Sequence, residues 1–342
     1  MIFNKTENGS LELKELIGFI YKSINFNNLK SYIEFAERNM KKIIGIDVFA
    51  QAENHYNSEN YLLAEADEDH PEYTLLDELV AKIQYPVAVY AYRRYVPSAD
   101  LTHSDKGRQI FVSEQEKPAF EWQIEKDNEN LLFLEHQAID ILLEWLDSHI
   151  DFTIEGDIAP FFKWSNTAAY LATKDLFINT VGEFEKVFLI EGSRFTFLSL
   201  APFIRRVQEN EILAAIGQAR YDALTQAIVD MAETEEPAKT LLDKIRPPLV
   251  LLALSVAAKR LSSQVLPSGI FTGLVSNVIR GKNPASKQDR NEIAVSLEKD
   301  GMRELGKLQE HIRKQDMLTS GETYIAVDPS ASIDETLKFV RL

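Results

Sequence analysis

With 342 residues, 45% of them apolar and 26% charged, the chain exceeds what one hydrophobic core fills and reads as a folded protein of two domains. It has no cysteine, which excludes disulfides, thiolate metal sites and a cysteine nucleophile. A net charge of −16 argues against wrapping a nucleic-acid backbone, which needs clustered Lys and Arg, and the absence of any uncharged apolar run of about 18 residues predicts no membrane span.

The polar start, Met1 to Ser10, lacks the apolar stretch of a signal peptide. Leu11, Leu13, Leu16, Ile17, Ile20 and Ile24 predict a helix over 11–24, and Tyr32, Phe35, Ala36, Ile43 and Phe49 a second over 29–49. An acidic connector follows, with Glu65, Asp67, Glu68, Asp69 and Glu72. Thr74, with Asp77 three residues on, reads as the N-cap of a long helix from Leu75 to Val96. Pro86 lies inside that helix and is expected to kink it or split it in two. Asp105-Lys106-Gly107 marks a turn ahead of Gln109-Ile110-Phe111-Val112, so a β-hairpin is predicted within 99–112. Pro118-Ala119 opens a closing helix to about His149, with Trp122, Leu131, Leu134, Ala138, Ile141, Leu142, Trp145 and Leu146 as its apolar stripe.

Residues 151–200 have a β texture: Phe152-Thr153-Ile154, Val187 to Ile190, and Ser193 to Phe197, with Glu191-Gly192 as a hairpin turn between the last two. The earlier order then returns. A helix is expected over 201–231, followed by the acidic Glu233, Glu235 and Glu236. A long helix from Leu241 to Leu261 is interrupted by Pro247-Pro248, and a hairpin region spans Leu266 to Gly273. A closing helix runs from Pro284 to Ile312, and 316–342 forms a mixed tail with one strand at Tyr324 to Val327.

The return is visible residue by residue at a fixed offset of 166 positions. Leu75-Leu76-Asp77 meets Leu241-Leu242-Asp243, Ala91 meets Ala257, Arg94 meets Arg260, Gly107 meets Gly273, Val112 meets Val278, and Pro118-Ala119 meets Pro284-Ala285. Chance would give about three such identities in a window of this length. The predicted class is therefore mainly α: two tandem helical modules, 1–150 and 201–315, each with a short β-hairpin, joined by a small β-rich segment, 151–200, and followed by the tail. Neither hairpin is large enough to stand alone, so helices or a neighbouring subunit must cover it.

Motifs that carry chemistry are missing. No histidine pair has the spacing of a zinc site, and His149 and His311 read instead as caps at the ends of the two closing helices, where an imidazolium favours the dipole. Gly281-Lys282-Asn283-Pro284 lacks the upstream glycine and the hydroxyl residue of a phosphate-binding loop. The acidic connector lacks the glycine and terminal glutamate of a calcium loop. Arg93-Arg94 and Lys259-Arg260 end the long helices; they either compensate the helix dipole or pair with acidic connectors across a subunit boundary. No catalytic, cofactor or metal residue is predicted.

The repeated module, a long helix, a hairpin around Asp105-Lys106-Gly107-Arg108-Gln109-Ile110-Phe111-Val112 and a closing helix opening near Pro-Ala, resembles the head–tail connector (adaptor, head-completion) proteins of tailed bacteriophages. The stretch Phe177-Ile178-Asn179-Thr180 with Ile190 to Phe197 is similar to a phage family carrying two such modules. The resemblance implies a non-enzymatic virion structural protein that forms a homo-oligomeric ring between portal protein and tail or stopper proteins. Such a ring extends the DNA channel and touches DNA in passing, without sequence recognition, at the neck of the virion, after assembly in the host cytoplasm. The expected assembly interface is Arg93, Arg94, Gly107, Ile110 and Phe111 in the first module and Lys259, Arg260, Ile270 and Phe271 in the second. A cytoplasmic helical scaffold or regulatory adaptor, monomeric or dimeric, would share the repeat and is the alternative.

Overall fold

The computed structural model describes residues 1–18, 24–62, 71–105, 107–109, 119–153, 161–230, 236–260, 263–266, 269–272 and 287–320. Helix α1 (Gly9–Ile17) stops at Gly18, whose φ of 68° is outside the helical region. The single helix expected over 29–49 is two, α2 (Phe26–Ile44) and α3 (Ile46–Asn57). Gly45 between them has φ 89°, and a Cβ there would lie 2.6 Å from Thr167 Cγ2, so only glycine fits the corner.

The long helix α4 (Pro71–Ala99) starts three residues before the expected cap. Proline in a first turn costs no hydrogen bond, so Pro71 opens it. Thr74 is inside the helix, and Asp77 serves elsewhere, accepting from Leu62 N–H and lying 2.7 Å from His55 Nε2. Pro86 does not split α4; it sits buried among Ile83, Val87 and Val89, and tertiary packing holds the helix through the missing hydrogen bond. The strands β1 (Thr102–Ser104) and β2 (Gly107–Gln109) pair antiparallel with Ser104 opposite Gly107, so the hairpin lies within 99–112 as expected, but Gly107 belongs to the second strand and not to the turn, and Ile110 to Val112 lie outside the described residues. The closing helix α5 (Glu121–Ser148) begins after Phe120, whose N–H donates to the Gln123 side chain. Ala119 is not helical, and Pro118 lies outside the described residues.

The first core joins α1 to α5, with Leu29, Ile33, Phe49, Leu79, Ile83, Val87 and Leu142 wholly buried. The first residues plug it: Ile2 is buried, its N–H donates to Glu37 Oε1 and its carbonyl accepts from Gln84 Nε2. Burial holds the Glu37 carboxyl above the ordinary carboxylate range.

The small β-rich segment is a misreading. Among the described residues of 151–200 there is a 3-10 turn (Lys163–Asn166), then α6 (Ala168–Lys174), α7 (Val181–Glu185) and the start of α8 (Arg194–Val207), with no strand. Glu191 and Gly192 do form a turn, both at positive φ, but it feeds a helix. Ser193 caps α8 by accepting from the Thr196 N–H, and Phe197, Leu200, Ala201, Ile204 and Val207 keep helical spacing into a buried stripe. Local aromatic alternation at Phe195 and Phe197 lost to that longer period.

A π turn (Gln208–Ile212) leads into α9 (Leu213–Ile216), α10 (Gln218–Val229), the second long helix α11 (Glu236–Arg260), strands β3 (Ser263–Leu266) and β4 (Gly269–Thr272), and α12 (Lys287–Ser320). Pro247 and Pro248, like Pro86, leave their helix continuous. The second core is separate and holds Phe177, Phe184, Phe197, Ile204, Ile245, Leu249, Val250 and Leu308. Divisions at 200 and 315 fall inside α8 and α12, and His311 lies within α12 instead of ending it. The expected strand at Tyr324 to Val327 lies outside the described residues.

The chain is thus mainly α, and the order helix, glycine corner, helix, long helix, hairpin, closing helix occurs twice. Gly45 (φ 89°, ψ 153°) and Gly217 (φ 81°, ψ 157°) take the same conformation at the same step. The constant offset of 166 fails at the hairpins, because α4 has 29 residues and α11 has 25. Gly107 opens β2 and Gly269 opens β4, so Gly269, not Gly273, is its counterpart.

Candidate functional site

Each hairpin is a separate two-stranded sheet, and neither pairs with a further strand among the described residues. Gly107 pairs with Ser104 in the first; Ile270 faces Val265 and Phe271 faces Gln264 in the second. Ile110 and Phe111 lie outside the described residues. Sheets this small need a cover to be stable.

The basic residues near the hairpins do more than face a helix dipole. Arg93 Nε donates to Glu135 Oε2 at 2.5 Å, tying α4 to α5. Lys259 Nζ donates to Glu298 Oε2 at 2.5 Å, tying α11 to α12. Both are braces within one chain. Arg93 is not at the helix end either, since α4 continues to Ala99. Arg260 is exposed in the last turn of α11.

Arg94 points elsewhere. Its guanidinium lies 5.3 Å from the centre of the Tyr90 ring, and it lines a groove of about 580 Å³ between α2 and α4. The other lining residues are Tyr32, Phe35, Arg38, Asn39, Lys42 and Tyr90. Tyr32 is fixed there by a hydrogen bond to Ser98 Oγ and an edge contact with Tyr95. Sequence reading named Arg94 but missed Arg38 and Lys42, which come from the other helix.

A second feature had no sequence signal. Asp147 near the end of α5 accepts from Trp164 Nε1 through one oxygen at 2.7 Å and from Arg194 Nε through the other at 2.9 Å. Asp140, two turns earlier, accepts from the Phe195 N–H at 2.6 Å in the first turn of α8. Two carboxylates of the first module therefore hold the start of the second, and Trp164, fully buried, fills the space beneath. A cleft of about 440 Å³ opens beside them between Glu144, Tyr170, Lys174, Thr180 and Ile228. Farther along, Arg205 grips Asp175 with both terminal nitrogens and holds its carboxyl below the usual range.

His149 caps α5, with Nδ1 2.8 Å from the Trp145 carbonyl and the ring stacked on Trp145. His311 does not cap: burial, with Lys244 and Lys314 nearby, holds its imidazole below the ordinary range. Among the described residues no group of three or more His, Asp or Glu is placed to hold a metal ion, and no helix is long and apolar enough to cross a membrane.

In comparison with known proteins, the model of a family of unknown function, DUF6712, matches the chain in two segments, residues 36–153 and residues 212–321. Each matched segment takes in one glycine corner, one long helix, one hairpin and one closing helix. No curated protein and no solved structure matches the chain.

Proposed function

We propose, from the premise that the chain belongs to the DUF6712 family of unknown function, that it is a non-enzymatic virion structural protein acting as a head–tail connector. In this reading copies of the chain form a ring between portal and tail and extend the DNA channel. The observation that carries it is the module repeated in tandem, each copy bearing a hairpin that no third strand of the described chain completes. Two related but distinct modules supply the two different faces that a closed ring requires of each subunit. A strongly acidic chain suits a conduit through which DNA must slide without sticking.

The reading is tested by light scattering on the purified protein, alone and mixed with a portal protein from the same genome, should one be encoded there. A fixed stoichiometry of chains per portal ring is expected. A monomer or dimer indifferent to any portal would replace the connector with a cytoplasmic helical scaffold or adaptor.

A further inference from the structure

We propose that the groove between α2 and α4 is the subunit contact of such a ring, and that its occupant is the acidic part of the connector, Glu65 to Asp69, of a second copy of this chain. The proposal rests on the ring reading and names its contact.

The groove is chemically out of keeping with the rest of the molecule. The chain carries 53 acidic and 37 basic residues, yet the described lining has Arg38, Lys42 and Arg94 and no carboxylate. Tyr32, Phe35 and Tyr90 lie between the cations, and Phe35 is 63% exposed, an apolar ring with nothing over it in the described chain. Cations interleaved with aromatic rings fit a peptide that alternates carboxylates with apolar residues. Arg is the best donor for such carboxylates.

The run Leu62-Leu63-Ala64-Glu65-Ala66-Asp67-Glu68-Asp69 has that composition. Its first residue, Leu62, is 71% exposed.

Chain geometry makes the contact intermolecular. The connector is anchored by Leu62, whose N–H donates to Asp77, and by Pro71 at the start of α4. Eight intervening residues looping out and back reach about 15 Å from those anchors. Tyr90 and Arg94 stand about 20 and 26 Å farther along the helix from Asp77, at 1.5 Å per residue. Tyr90 and Arg94 therefore lie beyond the reach of the chain's own connector, whereas a neighbour's connector meets them freely.

The test uses a fluorescent synthetic peptide of residues 61–73 titrated against the full-length protein, read by anisotropy. Saturable binding is expected, at least tenfold weaker with Arg38→Glu/Arg94→Glu and weakening steadily as salt rises. No binding, or equal binding of a scrambled peptide of the same charge, would overturn the assignment. Circular dichroism controls for folding of the variant. In the ring itself, Arg38→Glu/Arg94→Glu should abolish self-association, and adding Glu65→Lys/Glu68→Lys to the same chain should restore it. A ring that forms with its portal despite the groove reversal would overturn the contact while leaving the connector reading standing; a chain that ignores the portal but binds the peptide would do the reverse.

Discussion

The seam between long helix and closing helix is built twice in this molecule, and it is held differently each time. In the first module the brace is inside: the side chains of Arg93 and Glu135 are 19% and 7% exposed. In the second the brace is outside: those of Lys259 and Glu298 are 41% and 50% exposed. The second seam is closed beneath its brace by backbone approach. Ser255 Oγ donates to the Ala294 carbonyl, and a Cβ on Gly301 would lie 2.8 Å from Leu252. At the offset of 166 that relates the two closing helices, Gly301 stands where the first module has Glu135, the buried partner of Arg93. The first seam is thus held by an enclosed ion pair at the position where the second has close helix packing under an exposed pair.

The comparison is broken hardest by Arg93→Ala. A carboxylate as enclosed as Glu135, once deprived of its cation, is left without the partner that offsets its desolvation. Loss of one member of a buried pair costs about 3 kcal/mol, measurable by urea unfolding. Arg93→Met with Glu135→Leu should recover most of that loss, because well-packed apolar replacements of a buried pair are often neutral. A single-variant cost under about 1 kcal/mol would place the strength of the first seam elsewhere.

Gly301→Ala should come next. Alanine gains about 1 kcal/mol of helix propensity, but its methyl meets the Leu252 side chain at 2.8 Å and the Leu252 backbone nitrogen at 3.2 Å. The leucine end can turn away and the backbone cannot, so a net loss of about 1–2 kcal/mol is expected. A more stable variant would mean that α12 slides off α11 without cost, and that the close approach is incidental.

How far these features were legible from the residues depends on the range of the contact. Hairpin turns are local, and the turn signal at Asp105 to Gly107 located the first hairpin within 99–112, although Gly107 itself opens β2 where the second strand was expected from Gln109. The long helices were visible in their apolar spacing; of the two outcomes expected at Pro86, a split does not occur, since packing around Ile83 and Val87 keeps α4 continuous. Over 187–200 a short aromatic alternation masked a longer helical period, and the capping serine at Ser193 was the overlooked signal. The order of elements does occur twice, but the register read from the residues slipped, because α4 and α11 differ by four residues and a gapless offset has no means of showing that. Contacts such as Asp147 with Trp164 and Arg194, separated by 17 and 47 positions, left no trace in composition or spacing. Nor did the groove, where packing of α2 on α4 brings Arg38 and Lys42 to Arg94.

Ser255→Ala probes the polar half of the second seam. The hydroxyl is buried and has one partner, the Ala294 carbonyl at 2.8 Å. Removing it leaves that carbonyl without this donor, at a cost of about 1 kcal/mol. Cysteine at the same position, a weaker donor of similar size, should lie between serine and alanine. Equal stability of all three would show that the apolar contacts around Leu252 hold the seam alone.

Lys259→Ala should have the smallest effect. The pair with Glu298 has nearly the same length as that of Arg93 with Glu135, so distance by itself would rank them equal. Solvent decides otherwise. Water screens both charges of the second pair, each partner keeps most of its hydration when the other is removed, and a flexible lysine regains rotamer freedom on release. A cost of about 0.5 kcal/mol or less is expected, shrinking further as salt is raised. Should Lys259→Ala instead cost as much as Arg93→Ala, the exposed brace would have to be buried in solution. A neighbouring subunit lying over the α11–α12 seam is the arrangement that would do this, so the same unfolding series run across protein concentration separates an isolated brace from one covered by a second copy.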